Sequence, residues 1–181
     1  RIIREDPGRV GRYVFAHALF RAVLYDSVSA LRRARQHCRV GEALVELREA
    51  ALDEHLATIA HHFGRAAEVE APARALDFAL RAGRHADRLL AWEEAAAHYR
   101  EALRIHALLE SGDARARCEV LLDLGASEER AGLPETRATH QEALACARAA
   151  GDAGLLARAA LGVAGKWSIL GEVREEVLAA L

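Results

Sequence analysis

Apolar residues recur at helical spacing along nearly the whole chain. Leu52, Leu56, Ile59 and Phe63 follow one another at intervals of three or four residues, which places them on one face of an α-helix. The same periodicity predicts helices at about residues 15–27, 30–49, 52–68 and 92–110, one opening at Pro72, one between Asp113 and Gly132, one opening at Pro134, one running to about residue 170 and a short one after Gly171. Helices of this length with short connections are expected to be antiparallel neighbours.

The start of the chain has a different pattern. Ile2-Ile3 and Tyr13-Val14-Phe15 are β-favouring segments, and Asp6-Pro7-Gly8 and Gly11 lie between them. Proline presets φ for a turn and glycine accepts positive φ, so these residues favour a reversal of the chain. The sequence therefore predicts a short β-hairpin that precedes the first helix.

Capping residues mark several of the predicted helix ends. Ser29 is predicted to cap the second helix, and Pro72 suits a first helical turn because its missing N–H has no partner there. Gly132 is predicted to end a helix. Gly151 and Asp152 repeat this arrangement, with glycine in the left-handed position after one helix and aspartate capping the next.

Pairs of these helices show weak internal repetition. The segment from Leu76 to Leu109 resembles a tetratricopeptide unit, with small residues at the helix crossing and an aromatic ring in the second helix. Further units are indicated by Leu124-Gly125 and Leu161-Gly162. The predicted repeat-packing residues are Ala79, Gly83, Ala95, Tyr99, Ala102, Leu124 and Gly125. We therefore predict an all-α fold in which antiparallel helical hairpins form a tetratricopeptide-like right-handed superhelix, preceded by the β-hairpin.

Composition supports helices and shows an uneven charge. Aromatic residues make up only 5% of the chain, and alanine and leucine supply most of the apolar content, which favours packed helices over a sheet. Residues 1–40 contain nine arginines against three acidic residues, although the whole chain has a net charge of −2. We expect a docking face on an acidic neighbour, and contact with nucleic acid or a nucleotide phosphate is the alternative. The residues proposed for this face are Arg21, Arg32, Arg33 and Arg35.

Other features bear on cellular context. Cys38, Cys118 and Cys146 are too widely spaced for a zinc site or a disulfide framework, so we expect reduced core thiols and a cytoplasmic location. No apolar run approaches the roughly 20 residues that span a bilayer, so no membrane contact is expected. The sequence lacks methionine and begins at Arg1, which favours a fragment of a larger protein.

Motifs for catalysis or cofactor binding are missing from the sequence. The sole lysine, Lys166, is followed by Trp167 and lacks the second glycine of a phosphate-binding loop. The histidines lack the spacing of a zinc motif, as His55 and His62 are two helical turns apart. No serine lies in a nucleophile elbow. We predict no catalytic residues, no metal and no cofactor in this segment, although an enzyme with an unfamiliar site is a minor alternative.

One segment resembles the junction in large bacterial signalling ATPases of the STAND class, including LuxR-type regulators built like the maltose-regulon activator. Phe15, His17, Leu19 and Arg21 match the helix that follows the wing hairpin of that family's winged-helix domain. The family continues with a helix carrying an Arg-Arg-x-x-x-His pattern and then a superhelix of helical repeats. It differs from a stand-alone repeat protein because an ATPase module precedes the winged helix.

Later segments extend this resemblance over most of the chain. Arg32, Arg33 and His37 match the second helix, and residues 56–63 and 145–162 resemble parts of the superhelix. The resemblance implies that residues 1–49 are the end of a winged-helix-like domain and that residues 50–181 are tetratricopeptide-like repeats.

The resemblance also implies a function. The chain would be a non-catalytic regulatory and sensor segment of a multidomain ATP-dependent signalling or transcriptional regulator. His17 would approach ADP held by the ATPase module, because an imidazole N–H can donate to a phosphate oxygen. The expected partners are that ATPase module, where ATP or ADP would bind, and an unidentified protein or small-molecule inducer. DNA contact by this segment is not expected. The alternative is a stand-alone tetratricopeptide-like adaptor that binds a peptide or a partner helix.

Overall fold

The computed structural model describes residues 2–8, Gly11, residues 13–109 and residues 113–165. Two short strands pair antiparallel at the start of the chain, with Ile3 opposite Phe15 and Glu5 opposite Tyr13. Helices follow in the described part of the chain. The strands are β1 (Ile3–Glu5) and β2 (Tyr13–Phe15), and the helices are α1 (Ala18–Ser27), α2 (Ala30–Leu47), α3 (Leu56–Ala66), α4 (Pro72–Arg88), α5 (Trp92–His106), α6 (Ala114–Ala131), α7 (Thr136–Ala150) and α8 (Ala153–Ala164). The predictions of a mostly helical fold and an N-terminal hairpin are confirmed.

From α2 onward, each helix packs against the next one along the chain, and α6 also contacts α8. The main core lies among α2 to α6 and contains Phe63, Phe78 and Tyr99. A second core lies among α6, α7 and α8. Alanine is the commonest buried residue of both cores, so the helix axes can approach closely, and in the main core a few large rings fill the remaining space.

The large rings lie against glycines of a neighbouring helix. A Cβ atom added to Gly83 would lie 2.7 Å from Cε1 of Tyr99, so the bare glycine backbone makes room for the ring. The same arrangement recurs in three helix pairs, and we call these contacts the ring–glycine pairs: Gly41–Phe63, Gly83–Tyr99 and Gly125–His140. Gly162 of α8 also lies against the His140 ring. Gly83 follows Gly41 by 42 residues, and Gly125 follows Gly83 by 42 residues. A ring on one helix and a glycine on its partner therefore recur in α2–α3, α4–α5 and α6–α7.

Several predicted helix ends differ from the observed ones. The first helix begins at Ala18 rather than residue 15, because Tyr13–Phe15 pair with β1. A 3-10 segment over Glu49–His55 occupies the start predicted for the third helix, and α3 begins at Leu56. The fifth helix ends at His106, four residues early, and α8 ends at Ala164 where Gly165 adopts a positive φ. The short helix predicted after Gly171 lies outside the described residues.

The predicted caps are largely present. Gly132 and Gly151 follow their helices in the left-handed conformation, and Asp152 accepts a hydrogen bond from the Leu155 N–H. Pro72 occupies the first turn of α4. Ser29 occupies the N-cap position of α2 as predicted, but its side chain makes no capping hydrogen bond.

Candidate functional site

A cavity of about 660 Å³ lies where α1 and α2 meet α3 and α5. Its volume falls within the range typical of small-molecule sites. Aromatic, imidazole and guanidinium groups line the end near α1, and charged side chains of α3 and α5 line the other end. The cavity thus joins the segment assigned to the winged-helix tail with the first helices assigned to the repeats.

Tyr25 of α1 is held in this cavity by Arg33 of α2. The Arg33 guanidinium donates to the Tyr25 carbonyl oxygen at 3.2 Å, and its carbon lies 5.0 Å from the centre of the Tyr25 ring. A cation at this distance over an aromatic face is attracted to the ring. Arg33 also pairs with Asp26 at 3.4 Å. One arginine therefore fixes the end of α1 against α2.

A row of four polar side chains crosses the cavity wall. Nη2 of Arg65 lies 3.4 Å from the Tyr25 hydroxyl oxygen, which lies 3.0 Å from Nε2 of His37. Nδ1 of His37 in turn lies 2.9 Å from Nδ1 of His62. If Arg65 donates to Tyr25, the hydroxyl hydrogen can go to His37, and His37 can donate through Nδ1 to His62. This order satisfies each group while both imidazoles are neutral.

The surroundings of these imidazoles favour the neutral form. Burial lowers the pKa of His37, and the positive charges of His62, His61, Arg65 and Arg33 lower it further. Burial also lowers the pKa of His62, with a second contribution from His61. If both imidazoles were positively charged, an N–H of His37 would face an N–H of His62. The two rings therefore cannot both be charged without breaking their hydrogen bond.

The opposite end of the cavity is neutralised internally. Arg104 of α5 donates to both carboxylate oxygens of Glu101, at 2.8 and 2.9 Å, and to Glu68, which follows α3, at 3.2 Å. Its Nη2 also lies 3.1 Å from the carbonyl oxygen of Gly64. Burial lowers the pKa of His98, and the negative charges of Glu94 and Glu101 partly offset this decrease. Free positive charge is therefore concentrated at the end near Tyr25.

A buried imidazole outside the cavity lies at the α6–α7 crossing. His140 is wedged between Gly125 and Gly162, and neither ring nitrogen has a hydrogen-bond partner among the described residues. Burial lowers its pKa, although Glu129 and Glu128 act in the opposite direction. It holds the place that Phe63 and Tyr99 hold in the other ring–glycine pairs.

Stability is expected to fall in mild acid. The four histidines whose pKa the fold lowers are His37, His62, His98 and His140. Below the ordinary histidine pKa of 6.5, these side chains bind protons in the unfolded chain and remain neutral in the folded chain down to their lowered pKa. The free energy of unfolding therefore rises with pH between the lowered pKa and 6.5. Each such histidine adds a slope of at most about 1.4 kcal/mol per pH unit. Urea denaturation at several pH values between about 5 and 8 measures the slope. A free energy of unfolding that stays constant or falls as the pH rises would contradict the prediction.

The residues predicted for the basic face have different surroundings. Arg33 lines the cavity, whereas Arg35 pairs with Glu70 at 3.1 Å on the outside of α2 and α3. Arg21 and Arg32 are exposed. The face is thus divided between one cavity residue, one paired residue and two solvated residues.

His17 lies at the start of α1 and outside the cavity. Its Nδ1 accepts a hydrogen bond from the Leu19 N–H at 3.1 Å, so the side chain caps the helix. The ring is exposed. Local capping accounts for the position of His17 and leaves Nε2 as the nitrogen that can face another module.

The residues predicted for repeat packing all lie inside the protein. They are buried at the crossings of α4, α5 and α6: Ala79, Gly83, Ala95, Tyr99, Ala102, Leu124 and Gly125. The Tyr99 hydroxyl donates to Asp87 at 2.9 Å, and the Ser127 hydroxyl donates to the other Asp87 oxygen at 2.9 Å. Asp87 thereby connects three consecutive helices.

Sequence reasoning did not find the cavity. Tyr25 and His37 belong to the segment that resembles the signalling ATPases, but their contact with His62 and Arg65 depends on packing between helices. His37 and His62 are separated by 25 residues, and no local motif connects them. Within the described ranges, no group of three or more His, Cys, Asp or Glu side chains could hold a metal ion.

No helix in the described part of the chain is both long enough and apolar enough to cross a membrane. No model of a known protein family matches the chain, and the comparison with curated proteins found no match.

Proposed function

We propose that this chain is a non-catalytic regulatory and sensor segment of a multidomain ATP-dependent signalling or transcriptional regulator. Residues 1–49 would end a winged-helix-like domain, and residues 50–181 would begin a tetratricopeptide-like right-handed superhelix. The resemblance of the segment around His17 to STAND-class ATPases motivates the proposal. The exposed apolar surface of the hairpin and α1 is the observation that carries it.

This surface consists of large side chains without cover from the described residues. No residue of α1 is buried, and Leu19 and Val23 keep 63% and 57% of their surface exposed. We call it the hairpin–α1 surface, and it consists of Ile2, Ile3, Tyr13, Phe15, Leu19, Phe20, Val23 and Leu24. A group of exposed large apolar side chains of this kind is typical of a docking site for another protein module. The proposed occupant is the ATPase module of the same regulator.

Two of the ring–glycine pairs, Gly83–Tyr99 and Gly125–His140, lie within residues 50–181 and support the repeat part of the proposal, whereas Gly41–Phe63 joins the two parts. Recurrence of the same contact in consecutive helix pairs is expected when one helical hairpin is repeated along a chain. Such arrays expose long surfaces on which a protein or an inducer can bind. The hairpin–α1 surface would dock on the ATPase module in two different arrangements. A protein or inducer that binds the repeats more tightly in one arrangement would shift the equilibrium toward it, by the difference between its two binding free energies.

Substitution of His17 tests the link to the nucleotide. In the full-length regulator, His17→Ala is expected to accelerate ADP release about tenfold, because a hydrogen bond to a charged phosphate contributes about 1.5 kcal/mol or more. Since His17 also caps α1, His17→Asn is the matched variant that keeps a good capping residue and removes the imidazole. Both variants should release ADP faster, as measured with a fluorescent ADP analogue. Unchanged ADP retention in both would contradict the role.

The gene itself tests the proposed architecture. The coding sequence upstream of the Arg1 codon is expected to encode, in the same frame, a Gly-x-x-x-x-Gly-Lys-Ser/Thr loop and a winged-helix domain. An initiation codon immediately before Arg1 would instead favour the stand-alone adaptor. Sequencing of this region distinguishes the two.

A further inference from the structure

The end of the cavity near Tyr25 carries positive charge that the described residues do not neutralise. Three arginines line the cavity against two glutamates, and both glutamates bind Arg104. Arg33 pairs with Asp26, which is largely exposed to solvent and weakens the pairing. Arg65 remains, and among the described residues it forms no ion pair.

Arg65 also has unused hydrogen-bonding capacity. A guanidinium carries five N–H donors in a planar fork. The only bond of Arg65 to another side chain in the described part of the protein is the 3.4 Å contact with the Tyr25 hydroxyl, which is long for a hydrogen bond. The fork that suits a carboxylate or a phosphate is therefore available in the cavity.

The lowered pKa of His37 indicates that the electrostatic potential around it is positive. After burial, the causes that lower the pKa of His37 are all neighbouring positive charges, and Arg65 and Arg33 are among them. An environment that disfavours an added proton at His37 favours an added negative charge by the same interactions. An anion in the cavity would consequently be stabilised by Arg65 and would make protonation of His37 easier.

We propose that this cavity binds a small dianionic molecule, a phosphomonoester or a dicarboxylate, and that Arg65 is its main contact. Arg33 and the exposed imidazole of His61 lie on the same wall and add positive charge or N–H donors. A volume of about 660 Å³ suits a small metabolite rather than a folded protein. Because Tyr25 belongs to α1 and Arg65 to α3, such a ligand would contact both the docking segment and the first repeat.

This inference deepens the proposed sensor function, on which it rests, by naming a class of ligand. Its test measures binding to the 181-residue chain alone, without the ATPase module. If no anion binds to the cavity, the proposed docking role of the hairpin–α1 surface is not affected. If the hairpin–α1 surface does not dock on an ATPase module, anion binding by the cavity is not affected.

Titration calorimetry at pH 7.5, with inorganic phosphate and succinate as probes and sodium chloride at matched ionic strength, tests the proposal. Saturable one-to-one binding is expected for at least one probe, and Arg65→Gln should weaken it about tenfold, as expected for loss of a charge-assisted hydrogen bond. Arg81→Gln removes a similar charge from α4 outside the cavity and should leave affinity unchanged. Arg65→Lys keeps the charge, loses the fork and should have an intermediate effect.

The pattern of outcomes distinguishes the sources of the anion. Binding of phosphate alone identifies a phosphorylated ligand, binding of succinate alone identifies a carboxylic acid, and binding of both identifies a general dianion site. Absence of saturable binding to either probe, or equal affinity in the parent chain and Arg65→Gln, would overturn the proposal. Circular dichroism of each variant establishes that it is folded, and Arg65→Lys serves alone should Arg65→Gln fail this check.

Discussion

Replacing Tyr99 by alanine is expected to lower the free energy of unfolding by about 4 kcal/mol, since removal of a large buried ring costs its burial and leaves a cavity. Tyr99 is 1% exposed and lies against Gly83, in the middle of the main core. Much of the surrounding core is alanine and glycine, whose side chains are too short to fill the space. The loss also removes the hydroxyl that donates to Asp87, whose other oxygen holds Ser127 of α6.

Two variants separate the contributions to this loss. Tyr99→Phe keeps the ring and removes the hydroxyl, so it should cost only about 1 to 2 kcal/mol, as for one hydrogen bond to a charged group. Tyr13→Ala removes a tyrosine that is 64% exposed and should change stability by about 0.5 kcal/mol or less. Urea denaturation followed by circular dichroism measures all three. Equal effects of Tyr99→Ala and Tyr13→Ala would contradict the proposed packing.

Replacing Phe63 by alanine should have a similar effect in the first pair of helices. Phe63 has no exposed surface, stacks on Phe78 of α4 with ring centres 5.1 Å apart, and lies against Gly41 of α2. One ring thus joins three helices, and its loss is expected to cost about 4 kcal/mol. The cavity near Tyr25 should also loosen, because α2 and α3 provide two of its walls.

Phe20→Ala is the matched control for this substitution. Phe20 is 44% exposed on α1 and belongs to the hairpin–α1 surface. Its removal should leave the free energy of unfolding of the isolated chain nearly unchanged, while it should weaken docking on the proposed ATPase module. A large loss of stability in Phe20→Ala, or a negligible one in Phe63→Ala, would show that the core has been assigned to the wrong rings.

The periodic pattern was sufficient to predict most helices, because apolar spacing, glycine ends and aspartate caps act locally. Gly151 and Asp152, for example, end one helix and begin the next as their backbone and hydrogen-bonding preferences require. Prediction was weaker where tertiary packing decides the outcome. The apolar face predicted for the first helix exists, but Leu19 and Val23 remain exposed, because the sequence pattern does not show which partner covers a face.

The repetition was detectable from sequence only in part. Gly83, Tyr99 and Gly125 were recognised as packing residues, whereas Gly41 and Phe63 were not placed in a repeat. His140 was also missed, because a histidine is rarely the large ring of a core. The shared feature is the space that a missing Cβ provides for a ring on the next helix, and this becomes visible only when the two helices are brought together.

The cavity could not be predicted from the sequence for a different reason. Its walls come from four helices, and its polar row connects residues that are far apart in sequence. Arg65 has no distinguishing sequence context, and its significance comes from the absence of a carboxylate partner among the described residues. Electrostatic sites of this type depend on which charges remain unpaired after folding, and the order of residues does not reveal that.

Hydrogen–deuterium exchange of the full-length protein in its ADP-bound and ATP-bound states tests the regulatory role most directly. The account predicts that amides of α1 and of α3, which flank the cavity, exchange at different rates in the two states, because the hairpin–α1 surface is docked in one and released in the other. Amides of α7, far from the docking surface, should exchange equally in both. Identical exchange of α1 and α3 in the two nucleotide states would contradict the proposal that this segment regulates the ATPase.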